Sequence, residues 1–440
     1  MRLHGWAWLA LSSLLAFPLA GATRPRYGGA LTVDLSATWS TLDPADGFPE
    51  SLSPLIAETL VRLNAKGEAE PLLATNWQRD ADRKRWRFVL RPRVFFHDGE
   101  PLTAASAALS LAPALKKRYG DIGITAGSST LLIQSDRPMP DLLTELANPR
   151  MAIHRKSDKI ALIGTGPFRI SAWEPGRRLT LAAFEDYWGG RPFLDTVNIN
   201  PGAARASADV FDLPVGPGRR IVPDRTRIWS SAPRELVAVL VPNVQPVVQQ
   251  ALALAIDRAP IVTVLTQRKG EAAYGLLPQW LSGYLFLFAT PPDVARAKAM
   301  MGQLRIAPLT LSYPANDAFL RSVADRVALN ARDAGIVVQP VAGANGNLRL
   351  VRLPLESTDA VAELVRLAGV LGVPERASAL NAAKPETLYE TERLLLEEHR
   401  IIPLLYLPDV YGLGPRVRNW DAAQKNGSFR LHLENVWVEP

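Results

Sequence analysis

The chain of 440 residues contains no cysteine, which excludes disulfide bonds and attachment to a membrane through a lipid-modified cysteine. Folded stability must therefore come from packing, and a hydrophobic content of 48% is enough for large cores. Because one hydrophobic core rarely grows beyond about 250 to 300 residues, this length predicts two or three domains.

Histidine is also scarce, with five residues, His4, His97, His154, His399 and His432. No two of them lie within one helical turn of each other, and no cysteine can complete a ligand set, so a zinc or iron site is not supported. The chain also lacks a G-x-S-x-G nucleophile motif. We therefore predict no cofactor, no metal and no enzymatic activity.

Two glycine-containing motifs are better explained by turns than by chemistry. GTGPFR (164–169) superficially resembles a phosphate-binding loop, but it lacks the Lys-Ser/Thr pair, and Pro167 has no N–H to offer a phosphate. We interpret it as a tight connection between elements. In FFHDG, the Asp98-Gly99 pair predicts a turn in which Gly99 adopts a positive φ.

Basic residues exceed acidic residues only modestly, 50 against 43, which gives a formal net charge of +7. No dense block of Lys and Arg with interleaved aromatic residues is present, so nucleic-acid binding is not predicted. A mild positive charge suits a protein of the cell envelope that faces an anionic membrane surface.

The N-terminal segment carries one formal charge, Arg2, before an apolar run from Trp6 to Ala20. That run is shorter than the roughly 20 residues of a membrane-spanning helix, and Ala20-Gly21-Ala22 fits a cleavage site. We predict a signal peptide that is cleaved after Ala22, and hence a periplasmic protein that is not a lipoprotein. The alternative is a membrane anchor that is not removed.

The rest of the chain alternates strand-like and helix-like patterns, which predicts an α/β fold. The segment WRFVLR alternates as a strand, and Thr103 can cap the helix that follows it. Later, a strand at 309–313, a helix that Asn316 or Asp317 caps and Gly335 ends, and the strand IVVQP form a βαβ unit. No repeat or low-complexity linker divides the chain, so the domains are not simply arranged in series.

The segment FVLRPRVFFHDGEPLTA (88–104) resembles the signature of the bacterial extracellular solute-binding proteins of family 5, the dipeptide, oligopeptide and nickel-binding group. The similarity extends through YGGALTVDL, TLDPA, ETLVRLNAKGEAEPLLATNW, GTGPFRISAW, FEDYWGGRPFLDTV, QALALAIDRAPIV, PDVARAKAMM and IIPLLY. It covers the chain from about Tyr27 to about Tyr411, and so many short motifs in family order are far more specific than any one alone.

This resemblance implies a bilobal α/β fold, the type II periplasmic-binding-protein fold with the three discontinuous domains of peptide-binding members. The implied domains are a signal peptide (1–22), a first lobe (23–42, 165–238 and 401–440), an inserted subdomain (43–164) and a second lobe (239–400). The two lobes would hinge shut on a solute, which an ABC permease in the membrane would then take. The protein is expected to be a monomer.

The family's binding loops indicate where ligand contacts are expected. Trp39 lies in the loop after the first strand, and Tyr274 and Trp280 lie in a loop that members present toward the ligand. Aromatic rings at these positions would stack on an extended solute. The alternative for Tyr274 and Trp280 is that they pack their loop onto its own lobe.

The segment 348–369 departs from the family pattern. Peptide-binding members carry a W-x-x-D-Y-x-D-P-like segment there, and its first aspartate pairs with the α-ammonium of the peptide. In this chain the acidic candidates are Glu356 and Asp359, and we predict Asp359 as the ligand residue. The alternative is that Ser357, Thr358 or Asp359 caps the next helix.

The combined prediction is a transport receptor for a small peptide or peptide-like solute. Two other classes stay open: a divergent member that binds a non-peptide solute or acts as a sensory or partner-binding protein, and an envelope hydrolase. Turnover of a peptide or ester library would indicate the hydrolase, whereas a ligand-dependent rise in melting temperature without turnover would indicate the receptor.

Overall fold

The structure is a computed structural model. It describes residues 24–44, 46–64, 68–156, 162–202, 208–216, 222–242, 244–343, 345–377, 385–398, 400–421 and 431–440. The predicted signal peptide (1–22) and its cleavage site lie outside the described residues, as do His4 and His399.

The described strands are short except for two near the middle and the end of the chain. They are β1 (Ala30–Leu35), β2 (Val61–Leu63), β3 (Ala69–Pro71), β4 (Ala74–Arg79), β5 (Arg85–Leu90), β6 (Ile122–Ala126), β7 (Thr130–Ser135), β8 (Phe168–Glu174), β9 (Arg178–Ala183), β10 (Thr196–Pro201), β11 (Val210–Asp212), β12 (Arg227–Leu240), β13 (Glu271–Ala272), β14 (Leu309–Tyr313), β15 (Val338–Ala342), β16 (Leu348–Pro354), β17 (Ile401–Leu413), β18 (Val417–Arg418) and β19 (Trp437–Val438).

The helices flank these strands. They are α1 (Ser53–Ile56), α2 (Ala104–Tyr119), α3 (Leu142–Leu146), α4 (Pro246–Ala255), α5 (Arg258–Pro260), which continues as a π turn (Ile261–Leu265), α6 (Gln279–Ser282), α7 (Val294–Met301), α8 (Ala318–Asp333), α9 (Ala360–Val370) and α10 (Pro385–Glu397). Across the described ranges no single helix has the length and hydropathy to cross a membrane, and α4 with α5 and its π turn reaches them only as a pair bent by 56°.

One 11-stranded sheet runs through both lobes in the order β15-β14-β16-β12-β17-β11-β1-β10-β9-β8, with β13 paired to β17. The first lobe carries the half from β11 to β8, and the second lobe carries the half from β15 to β16. β12 and β17, of 14 and 13 residues, join the halves as an antiparallel pair. A separate sheet, β4-β5-β7-β6, packs against α2.

Four hydrophobic cores fill these layers. The first core lies among β1, β8, β9, β10 and the C-terminal residues 431–438, and the second core lies between the separate sheet and α2. In the second lobe, β12 turns Val237 and Val239 to a third core under α4 and α8, and Leu236 and Ala238 to a fourth core under α9 and α10. The alternation along β12 therefore places helices on both faces of the sheet, as α/β architecture requires.

The predicted βαβ unit is present in the second lobe. β14 and β15 are parallel neighbours, and α8 connects them. Asp317, one of the two predicted caps, accepts a hydrogen bond from Leu320 N at 2.9 Å, and Gly335 after the helix has φ +81°. Thr103 likewise caps α2 by accepting from Ser106 N at 3.1 Å. These local predictions are confirmed because each depends on side chains within one turn of the helix end.

The FFHDG and GTGPFR motifs meet in one junction. His97 N donates to Gly164 O at 3.0 Å, Gly164 N donates to His97 Nδ1 at 3.3 Å, and His97 Nε2 contacts Gly166 O at 3.0 Å. Gly166 N in turn donates to Ile56 O at 2.9 Å. A Cβ at Gly164 would lie 1.9 Å from Ile56 O, so only glycine permits this approach. Both motifs are therefore structural.

The junction fixes the protonation state of His97. Because Gly164 N–H points at Nδ1, the ring proton must sit on Nε2 to donate to Gly166 O. The pKa of His97 is lowered to about 4, chiefly by burial of the ring, and the nearby Arg169 acts in the same direction. A protonated His97 would place two N–H groups against each other, so the neutral ring is the stable form.

Gly164→Ala is expected to prevent stable folding, because backbone atoms of Ile56 occupy the space of the new Cβ. Gly99→Val is the comparison: Gly99 has φ +86° but nothing within 4 Å of a Cβ, so we expect a loss on the order of 1 to 3 kcal/mol. Urea denaturation measures both. Equal stability of the two variants would contradict this account of the junction.

The contribution of His97 to the free energy of unfolding should be present above pH 6.5 and lost as the pH falls toward about 4. Over this range His97 binds a proton in the unfolded state but remains neutral in the native state. His97→Gln removes this titration. We therefore expect the stability difference between wild type and variant to shrink from pH 7 to pH 4.5 in urea unfolding. A constant difference across that range would show that His97 is not buried in its neutral form.

Candidate functional site

A cavity of about 340 Å³ lies between the two lobes. Its described lining comprises Glu50, Ser53, Pro54, Ala57, Glu58, Thr59, Arg62, Leu63, Leu72, Pro149, Pro167, Tyr187, Trp188, Gly189, His432, Glu434 and Asn435 on one side, and Glu356, Ser357 and Thr358 on the other. The first group, called the first-lobe wall below, comes from the first lobe and from the inserted segment 43–164, and the second group follows β16 of the second lobe. The cavity is therefore closed by residues from both halves of the molecule.

One hydrogen bond crosses directly beside this cavity. Thr358 Oγ1, from the second lobe, donates to Asn64 O at 3.2 Å, and Thr358 is buried. Since Asn64 follows β2 near the other wall, this bond ties the two sides together. The described structure therefore has its lobes in contact at the cavity.

Glu58 is the buried carboxylate of the first-lobe wall, with 5% of its surface exposed. It accepts hydrogen bonds from Tyr187 OH at 2.8 Å, Trp188 Nε1 at 2.9 Å and Thr165 Oγ1 at 3.0 Å. Burial raises the pKa of Glu58 to about 7, although the three donors oppose the shift. Glu58 thus fixes two aromatic rings of the wall around one acceptor.

The loop on the opposite wall is fixed by another buried glutamate. Glu363, in the first turn of α9, accepts from Glu356 N and Ser357 N, both at 3.2 Å, and forms an ion pair with Arg366. Burial raises the pKa of Glu363, and Arg366 opposes that rise. Arg366 also lies 3.6 Å from the Glu356 carboxylate. The backbone of the loop is thereby held while the Glu356 side chain lines the cavity.

The charged groups on the described walls are mostly acidic. Four glutamates line the cavity, Glu50, Glu58, Glu356 and Glu434, against Arg62 and His432. Glu50 is paired with Arg150 at 3.3 Å, and Arg62 with Glu70 at 3.2 Å. Glu356 lies 3.6 Å from Arg366, and Glu434 lies 3.5 Å from His432 Nδ1, so these carboxylates also have partners in the described structure.

The structure does not bring the four predicted ligand residues together. None of them is among the described residues that line the interlobe cavity. Trp39 is 6% exposed and packs in the first core against Phe48, with ring centroids 6.3 Å apart. The ring centroid of Tyr274 lies 4.9 Å from the guanidinium carbon of Arg258 in the second lobe. Their roles toward a ligand stay predictions.

Trp280 is the most exposed of the four, at 38%, and its Nε1 donates to Pro233 O on β12 at 2.6 Å. Asp359 directly follows the cavity residue Thr358 and caps α9, accepting from Val361 N at 2.9 Å. Capping, the alternative stated for Asp359, is thus the contact that the structure describes, and a ligand role is not tested by it.

Sequence reasoning did not single out Glu58, Tyr187 and Trp188. The two aromatics stand in the YWGG segment, where Gly190 N donates to Tyr187 O at 2.9 Å and Gly190 has φ +95°. The YW pair was visible as part of a motif, but Glu58 lies 129 residues from Tyr187. No local pattern predicts a contact over such a separation.

Within the described ranges, no three His, Asp or Glu side chains are grouped so that they could hold a metal ion. The cavity instead offers hydroxyl, indole, carboxylate and backbone groups. Ser53, at the start of α1, is buried on the wall, and among the described residues its hydroxyl has no hydrogen-bond partner. Such groups suit recognition of a polar organic solute.

Comparison with protein families matches residues 68–352 to the bacterial extracellular solute-binding proteins, family 5 (middle region). This chain belongs to that family. The resemblance inferred from the sequence motifs is confirmed, and proteins of the family are the solute-binding components of ABC importers.

Two curated relatives differ in how much they align. The probable D,D-dipeptide-binding periplasmic protein DdpA of Escherichia coli is 25% identical over 389 residues, covering 78% of this chain and 75% of DdpA. The nickel-binding protein NikA of Staphylococcus aureus is 33% identical over 153 residues, covering 32% of this chain and 31% of NikA. The alignment with NikA therefore has the higher identity but spans less than a third of NikA.

Among solved structures, the periplasmic binding protein DppA of Helicobacter pylori in complex with peptide STSA matches with a TM-score of 0.76. The match covers 94% of this chain and 99% of DppA at 18% identity. It establishes the fold, and the predicted bilobal type II architecture is confirmed.

Glu58 should stabilise the protein most at low pH. Its pKa of about 7 lies above the ordinary value of 4.5, so its contribution is present below pH 4.5 and lost as the pH rises through 7. Glu58→Gln removes this titration. In urea unfolding, the stability of the variant relative to wild type should therefore increase from pH 5 to pH 8. Glu58→Ala, which leaves three donors without an acceptor, should be less stable at both pH values. A pH-independent difference between Gln and wild type would argue against a buried, titrating Glu58.

Proposed function

We propose that this chain captures a small peptide or peptide-like solute in the interlobe cavity and delivers it to an ABC permease. The observation that carries the proposal is the composition of the cavity, whose described walls come from both lobes and are joined by the Thr358–Asn64 bond. A solute bound there would add contacts to both walls at once. Binding would therefore favour the closed arrangement over an open one.

The size of the cavity supports a small solute. Its volume of about 340 Å³ lies near the lower end of the range of about 300 to 1,000 Å³ for small-molecule sites. A dipeptide suits this space better than a long peptide. DdpA, the relative named as a probable D,D-dipeptide-binding protein, is consistent with that class.

The acidic walls support a solute with an ammonium group, because a buried ammonium needs a carboxylate nearby. Glu356 reaches the cavity directly, whereas Asp359 is engaged as the cap of α9. We propose that the ammonium binds at this loop, with Glu356 or the originally predicted Asp359 as its partner. The Tyr187 and Trp188 rings on the opposite wall would cover the apolar part of the solute.

The remaining parts of the proposal follow from the sequence. The signal peptide would be removed after Ala22, so that the mature protein begins at Thr23 and acts in the periplasm as a monomer. Trp39, Tyr274 and Trp280 remain proposed contacts for a more extended solute or a more open arrangement. We propose no cofactor and no turnover of the solute.

Calorimetry with a panel of dipeptides, with and without N-acetylation, tests the proposal. We expect free-amine dipeptides to bind and acetylated ones to bind at least about tenfold more weakly, since loss of one charged hydrogen bond is worth about 1.5 to 3 kcal/mol. Glu356→Gln should weaken binding of the free amines by a similar factor and leave the acetylated forms unchanged.

Two matched controls accompany this experiment. Glu100→Gln changes an exposed glutamate of the HDGEP turn, and Asp293→Asn changes the cap of α7, where Asp293 accepts from Arg296 N at 2.8 Å. If Asp359→Asn weakens binding while Asp293→Asn does not, Asp359 is the partner of the ammonium. Absence of any dipeptide binding to wild type would reject the peptide class and favour a non-peptide solute.

A further inference from the structure

A second cavity, of about 220 Å³, lies inside the second lobe. Its described lining comprises Gln249, Ala253, Leu254, Arg258, Tyr274, Phe288, Thr290, Pro291, Leu396, Ile401, Ile402 and Pro403. It shares no described lining residue with the interlobe cavity. Pro403, the third residue of β17, lies four residues, or roughly 13 Å along the strand, from Leu407, which pairs with Glu235. The two cavities are therefore separate.

Arg258 is the charged group of this cavity, and only 7% of its surface is exposed. Its Nε donates to Ala273 O at 2.8 Å and to Pro403 O at 2.9 Å, and its Nη1 donates to Ile256 O at 3.3 Å. An arginine has five N–H donors. Within the described residues, the two Nη2 hydrogens and one Nη1 hydrogen consequently have no acceptor.

The partners of this guanidinium are all neutral. In the described part of the chain Arg258 forms no ion pair; the adjacent Asp257 caps the next turn by accepting from Ala259 N at 3.0 Å. Burial lowers the pKa of Arg258 to about 10, and the nearby Tyr274 and Asp257 only partly oppose that shift. The Tyr274 ring lies 4.9 Å from the guanidinium carbon. The nitrogen edge of the guanidinium remains available for an anion.

The walls around Arg258 are otherwise largely apolar, with Leu254, Phe288, Leu396 and Ile402 among them. Gln249 adds a second polar group. It is 6% exposed, its Nε2 donates to Val244 O at 2.6 Å, and its Oε1 has no hydrogen-bond partner among the described residues. The cavity thus combines an unpaired cation, an unsatisfied acceptor and an apolar lining.

We propose that this cavity binds a small organic acid, with its carboxylate on the Nη edge of Arg258 and its apolar body against Leu254, Phe288 and Ile402. A carboxylate matches the planar fork of a guanidinium and can accept two parallel hydrogen bonds from it. The volume equals roughly seven water molecules, which sets the size at about that of benzoate. The described lining of this cavity shares no residue with that of the interlobe cavity, so only a more extended solute that reached Tyr274 would contact both sites.

Isothermal titration calorimetry tests the inference. The full mature protein is titrated with benzoate, benzamide and acetate. We expect benzoate to bind one to one, and benzamide, which has the same shape without the charge, to bind at least about tenfold more weakly. Acetate should also bind more weakly, because it leaves the apolar walls uncovered. Equal affinity for benzoate and benzamide would overturn the proposal.

Two variants place the binding. Arg258→Lys keeps the charge and loses the fork, so benzoate affinity should fall. Because Arg258 also bonds three carbonyls and its replacement can unfold the lobe, Ala253→Phe provides an independent test by filling the cavity. It should abolish benzoate binding, whereas Ala105→Phe on the exposed face of α2 should not. Unchanged binding in Ala253→Phe would refute the site.

Competition separates this inference from the proposed transport function. A dipeptide at saturating concentration should leave the benzoate affinity unchanged, because the two cavities share no described residue. Displacement of benzoate by the dipeptide would place both in the interlobe cavity and refute the second site. If no dipeptide binds, the benzoate titrations of wild type and Ala253→Phe still decide this proposal.

Discussion

β12 and β17 run through both halves of the large sheet, so the two walls of the interlobe cavity are positioned relative to each other through their pairing. Midway along the pair, Pro233 lies opposite Pro408, and the register shifts on both sides of Pro233. Neither proline has an N–H, so the ladder is interrupted where the strands pass between the lobes. Side chains replace it: Ser231 Oγ accepts from Asp409 N at 2.9 Å, and Arg234 pairs with Asp409 at 2.8 Å. Side-chain contacts therefore take the place of backbone pairing where the two strands pass between the lobes.

Buried carboxylates hold the loops in place by accepting hydrogen bonds, as the backbone hydrogen bonds of the sheet hold the strands. Glu58 gathers three donors of the first-lobe wall, and Glu363 holds the loop of the opposite wall. Glu392 accepts from Leu277 N at 3.1 Å and Tyr284 OH at 2.9 Å in the second lobe. Glu363 and Glu392 satisfy backbone N–H groups of loops that lie away from a sheet, whereas the donors to Glu58 are side chains. Burial raises the pKa of all three glutamates, so each anchor costs desolvation free energy.

The sequence predicted what depends on neighbouring residues. The βαβ unit, the caps Thr103 and Asp317, and the turn at Gly99 were readable because periodicity and turn chemistry act over a few residues. The candidate site was not, since Glu58 and Tyr187 meet only after the lobes are assembled. The sequence alone does not distinguish an aromatic residue on a cavity wall from one in a hydrophobic core. The structure places Trp39 in the core. Family resemblance supplied the architecture and also suggested ligand contacts at Trp39, Tyr274, Trp280 and Asp359, none of which is among the described residues that line the interlobe cavity.

For the solute amine proposed above, the loop after β16 already contains a competing cation. Glu356 is the carboxylate that this loop presents to the cavity, and Arg366 already lies 3.6 Å from it. An ammonium that reaches Glu356 must share the carboxylate with Arg366, whose charge repels it. The same Arg366 pairs with the fully buried Glu363, so it cannot move away without leaving that carboxylate uncompensated. Selection for a solute amine would therefore act on the distance between Glu356 and Arg366 rather than on adding acidic residues, because the structural ion pair and the ligand contact use the same cation.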